Sequence, residues 1–161
     1  MSLVRNIMGS YSNPNVVFKN IFFDGRGETS AFVFLVFGCF LAFISLWPVL
    51  ARKAHEEHQS LNMLLGAALF AWIFIAPLIF YLLALVLHLG VKIFGFKING
   101  LFIRLSLFWG FLAAAPIMLV YGLVGGFLGE GFVLDCTGIL WCLVISRFIF
   151  VGLSVTKQVE R

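Results

Sequence analysis

Thr29–Ala51 reads TSAFVFLVFGCFLAFISLWPVLA, a run of 23 residues without a charge, bounded by Glu28 before it and Arg52-Lys53 after it. Lipid cannot hydrogen-bond a peptide group, so a chain crosses a bilayer as a helix or within a closed barrel. A crossing helix needs about 20 apolar residues. The run is therefore expected to be the first membrane span, over 30–51. Working outward, a second apolar run goes from Leu61 to Val91 and ends at Lys92. It is longer than one crossing requires, so it tilts or leaves the hydrocarbon at its ends. A third goes from Leu105 to Gly129, and a fourth covers about 132–155 with Asp135 and Arg147 inside it.

Composition agrees. Apolar residues make up 62% of the 161-residue chain and charged residues 11%, against about 25% charged in a soluble domain. The fold class expected is all-α: an integral membrane bundle of about four transmembrane helices, with a short interfacial amphipathic helix before them. Three regions follow: 1–28 as an N-terminal cytoplasmic or interfacial segment, 29–156 as the membrane domain and 157–161 as a tail. Residues 1–30 lack the apolar stretch of a cleavable signal, so the first span is expected to direct insertion. Ser12-Asn13-Pro14 reads as a helix start. Val17, Phe18, Ile21 and Phe22 then share one side of a helix, with Lys19 and Asn20 on the other. That is the pattern of a helix lying in the interface.

Charge placement sets an orientation. Four spans put Arg5, Lys19, Arg26, Lys92, Lys97, Arg104, Lys157 and Arg161 on one side, and only Arg52 and Lys53 on the other. By the positive-inside rule both termini are expected in the cytoplasm, in a bacterial inner membrane. The net charge of +4 is spread between apolar runs, so no continuous basic surface for nucleic acid is expected.

The chemistry-bearing residues are few. Cys39, Cys136 and Cys142 all lie in apolar runs and form no CxxC, which reads as free thiols and no metal. His55-Glu56-Glu57-His58 departs from HExxH spacing and reads as a solvated loop. Gly122, Gly125, Gly126, Gly129 and Gly131 end a span with no Lys after them. They read as helix packing and a turn rather than a phosphate loop. His88, near Lys92, reads as an interfacial anchor, and Asp135 as a carboxylate at a helix start. The second and third spans each carry a proline after Ala, Pro77 and Pro116, and a tyrosine after it, Tyr81 and Tyr121. These prolines are expected to be helix kinks; paired broken helices also occur at transporter sites.

Arg147 is the most informative residue. It lies ten residues before Lys157, about 15 Å at helical rise. A charge inside a span is costly and should have a partner or a path to water. Asp135 is twelve residues away on the same helix, about 18 Å, and out of reach. The remaining partners are a lipid phosphate, a backbone carbonyl, Asp24 or Glu28. An anionic phospholipid held by Arg104 and Arg147 is the expected site. No catalytic set can be assembled on one side of the membrane, so the chain is expected to be no enzyme, with no cofactor.

Several stretches taken in order carry a family resemblance. They are Leu46-Trp47-Pro48 with Ala51-Arg52-Lys53-Ala54-His55, then Gly66-Ala67-Ala68-Leu69-Phe70-Ala71-Trp72-Ile73-Phe74-Ile75-Ala76-Pro77-Leu78. Arg104-Leu105-Ser106-Leu107-Phe108-Trp109, Ala113-Ala114-Ala115-Pro116 and Tyr121-Gly122-Leu123-Val124 follow. Together they resemble the Yip-domain family as it occurs in alphaproteobacteria, over about 12–156. The resemblance implies a small polytopic membrane protein with both ends near the cytoplasm, and it carries no catalytic residues to this chain. Eukaryotic members have about five spans and act in vesicle traffic. This chain has four apolar runs and no long hydrophilic N-terminal region, so that role does not transfer. The function expected is a non-catalytic accessory or scaffold subunit. It would pack against a larger respiratory or photosynthetic membrane complex, against copies of itself, or organise lipid. A small transporter or channel component with a polar site near Pro77 and Pro116 is the alternative.

Overall fold

The computed structural model describes residues 3–23, 27–93 and 99–159. Among these there are helices and turns and no strand. In chain order they are α1 (Leu3–Ser12), α2 (Pro14–Phe23), α3 (Glu28–Glu56), α4 (Leu61–Phe70), a π-helical turn (Ala71–Ile75), α5 (Ala76–Ile93), α6 (Gly100–Ala113), α7 (Ala115–Phe127) and α8 (Phe132–Val159). Asp24, Arg26 and Lys97 lie outside the described residues, as does the end of the expected tail, Glu160 and Arg161. Helix α8 continues through Val159, into the segment expected as tail.

Three helical stretches are long and apolar enough to cross a membrane: Glu28–Glu56, Leu61–Ile93 and Phe132–Thr156. Helices α6 and α7 pass the same test together, bent by 42° at their junction, which makes up to four. These helices mark the chain as a membrane protein. The second stretch runs unbroken through α4, the π turn and α5. The proline ring of Pro77 crowds the carbonyl four residues earlier, which is Ile73, inside the wider π turn. Such turns absorb a displaced hydrogen bond. Pro116 stands at the start of α7, where its missing N–H costs nothing and where the bend occurs.

Helix α6 forms the central column, and α7 continues its line with one face open. Side chains on α3 meet it in ascending order. Glu28 bonds Arg104, the Phe34 and Trp109 rings pack edge to face at 4.9 Å, and Gly122 and Gly126 stand against Ser45 and Pro48. Helix α3 therefore runs parallel to α6–α7. Helix α8 runs antiparallel, with Gly138 beside Tyr121, Phe148 beside Gly110 and Gly152 beside Ser106. Helix α5 is also antiparallel: Phe80 packs on Phe111 at 4.4 Å, and His88 lies at the Gly100 end. Every residue of α6 from Leu105 to Ala113 is buried, as expected of a helix enclosed on all sides. Helix α5 is the opposite, with only Ala84 buried.

The glycines at the end of α7 act as packing surface. A Cβ on Gly122 or Gly126 would collide with Ser45 or Pro48 of α3. These two glycines are four apart, the spacing that lets membrane helices approach closely. Gly129 closes the helix with φ +80°, a conformation glycine adopts without strain. The Arg52 guanidinium covers it and donates to the Phe127 carbonyl at 3.4 Å, where a cation complements the helix end.

Helix α2 forms at Pro14–Phe23, and Val17, Phe18, Ile21 and Phe22 are buried while Lys19 and Asn20 are exposed. Protein covers this apolar side. Phe22 meets Phe102 at 5.0 Å, and Phe18 reaches Gly152 of α8. Helix α1 folds back so that a Cβ on Gly9 would stand 3.2 Å from Val17. Tyr11 then donates to the Ala113 carbonyl at 2.8 Å and packs on Phe148 at 5.3 Å. The α1–α2 hairpin thus reaches from the first turn of α6 to its last, eleven residues or about 16 Å.

Candidate functional site

Polar side chains in an apolar bundle need partners, and most find them locally. The Ser45, Ser106 and Thr156 hydroxyls donate to carbonyls of their own helices at 2.7–2.9 Å, as Ser and Thr do in helices. Buried Ser10 accepts from Trp109 Nε1 at 3.1 Å and donates to the Asn6 carbonyl at 2.9 Å. Burial pushes the Tyr11 hydroxyl above its ordinary value, and its O–H donates to the Ala113 carbonyl. At the far loop, Arg52 pairs with Glu56 at 2.7 Å and Lys53 with Glu57 at 3.8 Å. Both are i,i+4 pairs on an exposed helix end, so the carboxylates beside His55 and His58 are engaged.

Three buried polar atoms lack a partner among the described residues: His88 Nδ1, Arg104 Nε and Trp141 Nε1. Two of them share one cavity. Between α5 and the start of α6 lies a cavity of about 280 Å³, lined by Tyr81, Ala84, Leu85, His88, Asn99, Gly100 and Arg104. Its floor is the first turn of α6, capped by Asn99, whose Oδ1 accepts from Leu101 N at 3.1 Å. The His88 ring lies against Gly100, where a Cβ would be 3.7 Å from Nδ1. Arg104 gives an Nη2 hydrogen to Glu28 and leaves Nε on the buried side. Chemically, this is a pocket with a guanidinium donor, an imidazole nitrogen, a phenol and the positive end of a helix dipole.

The structure does not bring Arg104 and Arg147 together. Ser106 faces α8, and Arg104, two residues earlier, points about 200° away around α6, toward Glu28. Glu28, one of the acids expected for Arg147, serves Arg104 instead. Arg147 is exposed on α8, next to buried Phe148. It lies in a stripe with Leu140, Leu143 and Phe150, which are 50%, 64% and 76% exposed. No carboxylate among the described residues pairs with it.

The turns around Pro77 are filled with rings. Trp72 stacks on Phe111 at 6.3 Å, and Tyr81 meets Phe108 at 5.1 Å. Beyond Pro116, a cavity of about 290 Å³ between α7 and α8 is lined by Met118, Tyr121, Gly138, Trp141 and Cys142. Cys39 is buried, and Cys136 and Cys142 are exposed, all as free thiols. Asp135 occupies the first turn of α8.

In the sequence His88 reads as an anchor, and nothing there marks its cavity. His88 and Arg104 are sixteen residues apart in the sequence. The one available signal was that both fall at span ends flanking the same loop. Comparison with known protein families, with curated proteins and with solved structures gives no match.

Proposed function

We propose that this chain is a non-catalytic membrane subunit that docks through α8 onto a larger integral membrane protein. One observation carries the reading: Arg147 is exposed midway along an otherwise apolar stripe of α8. Phe148 lies against Gly110, six residues beyond Arg104, so Arg147 is about 9 Å deeper along α6 than the Arg104–Glu28 pair. An arginine facing hydrocarbon at that depth costs several kcal/mol unless it is neutralised. A carboxylate in a partner's span, accepting a bidentate pair, offsets that cost and fixes the docking register. The long apolar flanks of α8 supply the rest of the contact.

The same reading places the chain in a bacterial inner membrane with both termini cytoplasmic, supported by the excess of Lys and Arg at one end of the bundle. Kinship with the Yip-domain family is proposed on the order of the Leu46-Trp47-Pro48 and Arg104–Tyr121 stretches. It assigns no role to any residue.

The test is a tagged pull-down from native membranes in mild detergent, with the recovered proteins identified by mass spectrometry. A stoichiometric partner is expected with the natural chain, retained by Arg147→Lys and reduced at least about tenfold by Arg147→Leu. Recovery of the chain alone, or of the same partner with Arg147→Leu, overturns the reading.

A further inference from the structure

Two residues that line the α5–α6 cavity carry polar atoms with nothing to bond among the described residues. Arg104 Nε and His88 Nδ1 are both buried without a partner, and leaving such groups unpaired is costly. Arginine is always protonated, so Nε is a donor and never an acceptor. Glu28 accepts from Nη2, and Nε makes no hydrogen bond with the described residues. The first turn of α6 adds the positive end of its dipole, which favours an anion. Lys92, one turn beyond His88, is exposed nearby on α5. Among the described residues no carboxylate lines the cavity; Glu28 stands behind it, paired with Arg104. At about 280 Å³ it has room for several waters at about 30 Å³ each, and so for one phosphate.

The cavity's rim says where that phosphate comes from. Leu85 lines it and is 53% exposed, and Leu78, Leu82 and Leu89 continue outward along the same face of α5. This gives an acyl chain an apolar track that begins at the polar pocket. Helices α3 and α6 begin and α5 ends at the Arg104 end of the bundle, which a bilayer crossed by these helices would bring to the level of its headgroups. We propose that the cavity between α5 and α6 binds the phosphate of an anionic phospholipid, with Arg104 and His88 as its donors, Tyr81 beside them and the lipid chains lying along α5. The site is separate from Arg147 and does not depend on the docking role of α8.

The experiment is native mass spectrometry of the detergent-purified full chain, titrated with dioleoyl phosphatidylglycerol, dioleoyl phosphatidylcholine or inorganic phosphate. The natural chain is expected to retain phosphatidylglycerol about tenfold better than phosphatidylcholine, with millimolar phosphate failing to displace it. His88→Leu should lower that preference about tenfold. The Glu28→Gln with Arg104→Gln pair, which preserves a neutral contact between α3 and α6, should do the same. Arg147→Leu should leave it unchanged, and circular dichroism establishes that each variant is folded. Equal retention of the two lipids, or full retention by folded His88→Leu, overturns the proposal. Displacement by phosphate overturns the lipid as its source.

Discussion

The smallest unit that holds distant parts together is the Ser10 hydroxyl. It lies fully buried between α1 and α6 and joins Trp109 Nε1 to the Asn6 carbonyl. Ser10→Ala leaves the indole N–H buried and unpaired, which costs about 1–3 kcal/mol. Unfolding in a denaturing-detergent titration, followed by tryptophan fluorescence, should show that loss. An unchanged midpoint would mean the indole finds another acceptor. Arg104 shows a different logic, because its charge is divided. One nitrogen serves Glu28 while the side chain also lines the cavity, so a substitution there disturbs both α3 and the pocket. His88 is the cleaner probe for that reason. Neither role was legible in the sequence. The residue types were visible, but the direction in which each points depends on which helix lies across from it.

Among elements, the contact between α3 and α7 is the closest. Gly122 and Gly126 let the α7 backbone sit directly on Ser45 and Pro48. Gly126→Leu must push the helices apart, at a cost of about 1–3 kcal/mol or more. Gly66→Ala should be tolerated, because nothing lies within 4 Å of that position and alanine is the better helix former. Thermal-shift midpoints of the two variants in one detergent make the comparison, and equal losses would refute the packing account. The glycines' role was legible because small residues at helical spacing have few other uses in a span. The break at Ala114 was half legible: Pro116 announced a bend, but nothing in the apolar pattern separated a bend from an end. The buried side of α2 was also legible, from Val17, Phe18, Ile21 and Phe22. What covers it was not, since an apolar face is written the same way for lipid and for protein.

For the whole molecule, the parallel course of α3 and α6–α7 puts the loop at 57–60 and the turn at 128–131 at one end, with Lys92 and Asn99 at the other. Arg52, reaching from α3 to Phe127 and Gly129, pins the two near segments together. A membrane-impermeant maleimide should therefore label Gln59→Cys and Glu130→Cys from the same side, in a background without the natural cysteines. Lys92→Cys should react only from the opposite side. Labelling of Gln59→Cys and Glu130→Cys from different sides would break the bundle's topology. The charge-free runs made the membrane-length helices legible in the sequence, because charge-free length is the one property lipid reads directly; the 42° bend between α6 and α7, which leaves three or four spans, was not written there. The α1–α2 hairpin has a further consequence, in time rather than space. Tyr11 and Ser10 meet partners 102 and 99 residues later in the chain, and Phe18 waits for α8, last of the described helices to be made. At ribosomal speed of about 5–20 residues per second, the hairpin stands undocked for roughly 5–20 s. Its apolar side, Val17 to Phe22, is then open to whatever binds nascent hydrophobic helices. Docking of the hairpin is thus a late event that reports completion of the bundle.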